Sequence, residues 1–177
     1  MTQRLTRALL PFVALLLALA PAAIAQDEPA TLADALAATP EASTLTALFE
    51  ESGLLEAFDG PGRYTFFAPS NAALERLDPE ILEMMRRDVG VLDLVVRHHT
   101  VSGGSPLAAL RRMDALTTLE GTQLVVRADA RGVRVDGVRL ANDGIATGNG
   151  VLYLVDRVLL PQEAWLRKDL LAGPDAR

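Results

Sequence analysis

The sequence predicts an α+β fold, with helices collected in its first half and strands in its second. Up to Leu110, apolar side chains recur at the spacing of helices that bury one face. From Ala115 onward, short runs rich in β-branched residues are separated by glycine, asparagine and aspartate turns. A third observation anchors the helical half. Tyr64-Thr65-Phe66-Phe67 reads as a buried strand that stops at Pro69, which cannot donate a ladder hydrogen bond. Helices followed by strands differ from the regular alternation of a parallel α/β sheet.

Thr31 precedes Leu32, Ala35 and Leu36 at helical spacing, and Pro40 closes that segment. A second helix places Leu45, Leu48, Phe49 and Ser52 on one face. Gly53 interrupts it, Leu54, Leu55 and Phe58 form a last turn, and Asp59-Gly60-Pro61-Gly62 turns the chain into the strand. After Pro69, Ser70 or Asn71 is placed to accept from the free amides of a helix beginning at Ala72. Phe66 and Phe67 should point to opposite faces of their strand. Asp78-Pro79-Glu80 starts another helix, closed by Arg86 and Arg87 at the negative end of its dipole. Val89 to Val96 extends the helical half and leads into His98-His99-Thr100-Val101, read as extended chain. Ser105-Pro106 opens a short helix through Leu110. Strands are expected over 116–119, 122–127, 133–135 and 138–140, with Asp136-Gly137 as a two-residue hairpin turn. A last strand is expected from Val151 to Leu160, ending at Pro161.

Residues 1–25 carry Arg4 and Arg7, an apolar run from Leu9 to Ala20, and the small-residue pattern Ala23-Ile24-Ala25. They read as a signal peptide cleaved before Gln26. The apolar run falls short of the ~20 residues needed to span a bilayer. Neither a lipid-acceptor cysteine nor a C-terminal apolar tail is evident, so the expectation is a secreted or periplasmic chain without a membrane span after cleavage. Residues 26–30 form a polar leader expected to be mobile, 31–161 the domain, and 162–177 a tail of helical composition containing Trp165, Leu166 and Leu170. The chain has no cysteine, so packing rather than disulfides must stabilise it. Its formal net charge is −6, and losing Arg4 and Arg7 makes it more negative by two. That balance disfavours nucleic acid and anionic membrane as partners.

Two stretches then suggest a family. Tyr64-Thr65-Phe66-Phe67-Ala68-Pro69-Ser70-Asn71-Ala72-Ala73-Leu74 resembles the N-terminal box of fasciclin-type domains. Asn149-Gly150-Val151-Leu152-Tyr153-Leu154-Val155-Asp156-Arg157-Val158-Leu159-Leu160-Pro161 resembles their C-terminal box. Between them, Leu94 to Gly103 is similar to the family's tyrosine-histidine segment, with His99 at the histidine position. Residues 31–36 and 116–121 are also similar to family patterns, so the resemblance spans about residues 30–161. It implies a β-sandwich or wedge with a helical layer, and a non-enzymatic role in cell adhesion or in surface or matrix protein interaction. Because some related domains bind carotenoids, it also implies an alternative, a carrier of an apolar small molecule such as a carotenoid or lipid. The structural motif residues are Phe66, Phe67, Pro69, Asn71, Asn149, Gly150 and Asp156. The sequence departs from the family pattern at two places. His98 replaces the tyrosine, and Gly144-Ile145 stands where animal members carry the aspartate-isoleucine adhesion pair, with Asp143 one place early. Animal-type integrin recognition is therefore not expected, and the possible interaction residues are His98, His99, Asp143 and Ile145.

The residues themselves point to no catalytic, cofactor or metal chemistry. Neighbours in extended chain face opposite ways, so His98 and His99 are not expected to share an ion, and no third histidine or HExxH spacing supports one. His99 is expected hydrogen-bonded under the adjacent helix, and His98 half exposed, with a pH response if burial or carboxylates shift either. Ser43, Ser52, Ser70, Ser102 and Ser105 lack a nucleophile-elbow context. Gly144 to Gly150 lacks the phosphate-loop lysine. Asp136, Asn142 and Asp143 lack calcium-loop spacing and read as turn residues.

Overall fold

The computed structural model describes residues 31–160. The expected signal peptide, leader and C-terminal helical tail lie outside the described residues. Six helices run α1 Leu32–Ala37, α2 Ser43–Ser52, α3 Asn71–Glu75, α4 Pro79–Arg87, α5 Val89–His98 and α6 Leu107–Leu110. Eight strands run β1 Tyr64–Pro69, β2 Thr100–Ser102, β3 Ala115–Thr117, β4 Gln123–Asp129, β5 Gly132–Val135, β6 Val138–Arg139, β7 Ile145–Thr147 and β8 Gly150–Val155. Single 3-10 turns at Pro40–Ala42 and Leu54–Phe58 flank α2. This is the α+β architecture expected, with most helices ahead of most strands.

The strands form two four-stranded sheets, ordered β2-β1-β8-β7 and β3-β4-β5-β6. Strand β1 pairs in parallel with β8, from Tyr64 against Gly150 to Pro69 against Val155. The two family boxes are thus neighbouring strands at the centre of the first sheet. Single bridges, Val101 to Thr118 and Leu140 to Val155, tie the sheets together at both sides. Seven strands therefore close a flattened ring, and β7 extends the first sheet outside it.

The first sheet separates two cores, and β1 feeds both. Phe66 faces the helical layer, where its ring lies 4.7 Å from that of Phe58 and 6.0 Å from that of Phe49. Leu32, Leu36, Leu45, Leu48, Met85, Leu92 and Val95 complete that core. Phe67 faces the other way into the space between the sheets, stacked 5.8 Å from Tyr153 among Leu124, Val126, Val133 and Val135. Both phenylalanines are buried, as the period-2 alternation of a strand requires.

Helix ends follow local chemistry. Thr31 and Asp34 form a reciprocal capping box on α1, and Gly53 ends α2 with φ 74°. Ser70, rather than Asn71, caps α3 by accepting from the Ala73 amide. Asn71 is the first residue of that helix, and its side chain caps a different one. Its Oδ1 accepts from Thr44 N at 2.9 Å, and its Nδ2 donates to Pro40 O and Ser43 Oγ, both at 3.0 Å. Of the two expected candidates Ser70 is thus the local cap, and Asn71 makes long-range bonds instead. Two further boundaries differ. The apolar face of Leu92, Val95 and Val96 carries α5 through His98, so the paired histidines end a helix instead of lying in extended chain. Strand β8 stops at Val155 rather than Leu160, because the chain bends at Asp156 and Leu159 turns inward to His99.

Candidate interaction surface

The histidines are interior. His99 is 1% exposed, and its position fixes its tautomer. Val95 O can only accept, so Nδ1–H donates to it at 2.7 Å, leaving Nε2 to accept from Leu159 N at 2.9 Å. Burial, aided by the neighbouring His98 and opposed by the Val95 bond, pushes its pKa down to about 3. His99 is hydrogen-bonded as expected, but as the C-cap of α5 itself, bonded to a carbonyl of that helix, rather than beneath an adjacent helix. The half exposure expected of His98 is not found, since it is 3% exposed. Its Nδ1 lies 2.8 Å from Glu120 Oε2 and 2.9 Å from Thr122 Oγ1, and Thr122 in turn meets Thr118 at 3.0 Å. His98 therefore ties α5 to the β3–β4 turn. Its Nε2 is buried with no partner among the described residues. Both side chains brace the fold, and neither is presented to a partner.

Asp143 is exposed in the loop before β7, while Ile145 is half-buried against the helical core. The loop crosses the ring of Tyr153, whose hydroxyl donates to Ser105 O at 2.9 Å. Burial and then the Asp143 charge push the Tyr153 pKa up to about 12. Gly144 has φ 95°, and a Cβ there would overlap the tyrosine ring. This explains the glycine at position 144. A side chain would be strained by the backbone and blocked by Tyr153.

The C-terminal box begins with a structural junction. Asn149 Oδ1 accepts from Leu32 N at 2.7 Å and from Thr147 Oγ1 at 3.1 Å, while Nδ2 donates to Phe58 O at 2.6 Å. Gly150 then passes so close to the Tyr64 carbonyl that a Cβ would collide with it. Arg76 donates to the main-chain oxygen of Asp156 at 3.1 Å, while the buried Asp156 Oδ1 lacks a partner among the described residues. The motif residues thus join sheet, helices and loops.

Open depressions among the described residues include a pair of about 220 Å3 each. One is apolar at its floor, with Phe58, Tyr64, Val96 and Leu119. The other gathers Arg111, Arg131 and Arg139 with Asn142 and Asp143. Asn142 Oδ1 accepts from Leu154 N at 3.0 Å, which orients its amide. Arg139 also belongs to a row across the second sheet. The register pairs Arg127 with Arg134 and Arg134 with Arg139. The adjoining row, Val126, Val135 and Val138, is buried between the sheets, so the arginines point outward.

None of this row was singled out from the sequence. Its signal was present in Asp136-Gly137. A two-residue turn places Val135 opposite Val138 and Arg134 opposite Arg139, and alternation then sends the valines in and the arginines out. Of the residues that were singled out, Asp143 reaches the arginine-lined depression, Ile145 packs inward, and the histidines lie in the interior.

The comparisons with known proteins agree with this geometry. The Fasciclin domain family profile matches residues 40–161. Cell surface glycolipoprotein MPB83 of Mycobacterium bovis is 32% identical over 79% of this chain and 63% of its own length. Human periostin is 30% identical over 76% of this chain, and porcine transforming growth factor-beta-induced protein ig-h3 is 32% identical over 75%. This chain spans only 16% of periostin and 20% of ig-h3. The solved domain pair of the insect cell adhesion molecule fasciclin I superposes with a TM-score of 0.65 at 13% identity, covering 77% of this chain and 52% of that one. That likeness concerns the fold, whose paired central strands carry both sequence boxes. The chain belongs to the fasciclin domain family.

Proposed function

We propose that this chain is an exported binding module that attaches to a protein or other component of a cell surface or matrix. The observation that carries the reading is the shared domain. It covers about three-quarters of this chain in a relative named a cell surface glycolipoprotein and in the solved cell adhesion molecule. The N-terminal signal pattern supports export to the periplasm or beyond. The histidines support binding over catalysis. Both nitrogens of His99 are bonded inside the fold, and His98 is enclosed against Glu120 and Thr122, so neither is placed to take a substrate proton.

Among the described residues, the alternative of an apolar carrier is supported by the cleft at Phe58, Tyr64 and Leu119. Its volume of about 220 Å3 is below the ~300–1,000 Å3 of sites that enclose drug-sized ligands. A long polyene would remain largely in water there. Pull-down with the exported chain against surface components, alongside absorbance and lipid extraction of natively purified protein, tests both readings. The binding module gives a colourless protein that retains a surface component. A visible chromophore or a stoichiometric extractable lipid, without a retained component, would establish the carrier instead.

A further inference from the structure

We propose that the outer face of the second sheet docks an acidic, partly apolar segment of a partner protein. The inference rests on the reading of the chain as a binding module and names the chemistry of its partner. Pairing of β4, β5 and β6 sets Arg127, Arg134 and Arg139 side by side on one face. Like charges directly opposite on neighbouring strands work against the sheet, so this row has a cost, against which the chain sets one hydrogen bond from Arg127 to Val126 O at 3.1 Å and one long ion pair. Among the described residues, Arg127 and Arg139 make no ion pair, and Arg134 has only a long one, 3.7 Å from Asp129. Arg111 and Arg131, beside Arg139 at the depression, are likewise without an ion pair among those residues.

The chemistry of this face selects the partner. Guanidinium forks bind carboxylates through paired hydrogen bonds, which suits Asp and Glu side chains. Two residues along β4 from Arg127, about 7 Å away, Val125 stands on the same face. Val125 is 42% exposed and pairs with the exposed Ala115. Met113, just before β3, is 37% exposed. A row of arginines beside an exposed valine has the mixed character of a protein interface, where Arg is enriched. No tyrosine, phenylalanine or tryptophan lies in β3–β6 to stack bases, which separates the face from a single-stranded nucleic-acid platform. Four acids lie nearby, of which Asp114 is exposed just before β3 and two are engaged. Asp129 faces Arg134, Asp136 Oδ1 accepts from Val125 N at 3.1 Å, and Asp143 shares the depression with Arg111, Arg131 and Arg139, a single carboxylate among three guanidinium groups. Because the chain as a whole is acidic, an acidic partner is repelled elsewhere and directed to this face.

The test measures binding of a fluorescent synthetic peptide of Glu and Leu, and of its Gln-for-Glu counterpart, to the exported chain. The wild-type chain binds the Glu peptide in a salt-sensitive manner and the Gln peptide weakly. Combined Arg127→Gln, Arg134→Gln and Arg139→Gln substitutions weaken the Glu peptide about tenfold, at roughly 0.5 kcal/mol per exposed pair. Arg139→Gln alone gives a smaller loss and serves if the triple variant does not fold. Equal binding by wild type and triple variant, or no preference for Glu over Gln, overturns the proposal. Preferential binding of duplex DNA, a heparin fragment or a second copy of this chain through these arginines also overturns its partner class. Unchanged attachment of the triple variant to surface components removes this inference alone. Absence of wild-type attachment removes the binding-module reading first.

Discussion

Acid should destabilise this protein through His99. The neutral ring donates from Nδ1 to Val95 O and accepts at Nε2 from Leu159 N. A second proton must enter at Nε2, where it breaks the Leu159 bond and leaves a cation in a site that is 1% exposed. The folded pKa is about 3 against the usual 6.5, so between these values the unfolded chain holds the extra proton. Stability from this residue is therefore complete above 6.5 and is lost as pH falls towards 3. The slope within the window is about 1.4 kcal/mol per pH unit, with a ceiling of about 5 kcal/mol over the whole of it. Urea unfolding at several pH values, in wild type and His99→Gln, reads this slope apart from the carboxylates both chains share. The wild-type curve should fall more steeply below 6.5. Parallel curves, or an NMR titration placing His99 near 6.5, would refute the reasoning.

Asn71→Ala should cost about 1–2 kcal/mol in thermal or urea unfolding, since it uncaps α2 and releases α3 from it. A loss below a few tenths would show that the contact is dispensable. Phe66→Ala and Phe67→Ala should each cost about 3–5 kcal/mol despite facing different cores, because both rings are fully enclosed. A small effect at either would mean that its core can close over the gap. Arg139→Thr should raise stability by about 0.2–1 kcal/mol by removing a like-charge pair and adding a strand-forming residue. A fall in melting temperature would show that the arginine row supports the fold.

What could be read from the sequence was local. The Tyr64–Pro69 strand, the Asp78 helix start and the Asp136-Gly137 turn each contain their own chemical signal within a few residues, and each formed as expected. The resemblance of two boxes supplied the family and its general architecture, but the parallel pairing of β1 with β8 joins stretches far apart in the chain and was not legible in either. Ser70 and Asn71 stayed alternatives for the α3 cap because both stand beside its free amides, and the distant partners of Asn71 at Pro40, Ser43 and Thr44 left no local signal. The histidines were placed in extended chain because the helix boundary depended on packing of Leu92 and Val95, and His98 was buried by the distant Glu120 and Thr122. Asp143 and Ile145 were chosen as a pair, but loop geometry over Tyr153 leaves one exposed and turns the other inward. The arginine row needed strand register, which a hairpin turn specifies and residue type alone does not.

The central claim, that the folded domain acts by attachment, is tested most directly by an equilibrium isotherm of the exported chain on intact surfaces of the cells that produce it. The account predicts saturable binding that is lost when Phe66→Ala or acid unfolds the domain. Binding that never saturates, or that is equal for folded and unfolded chain, would contradict it.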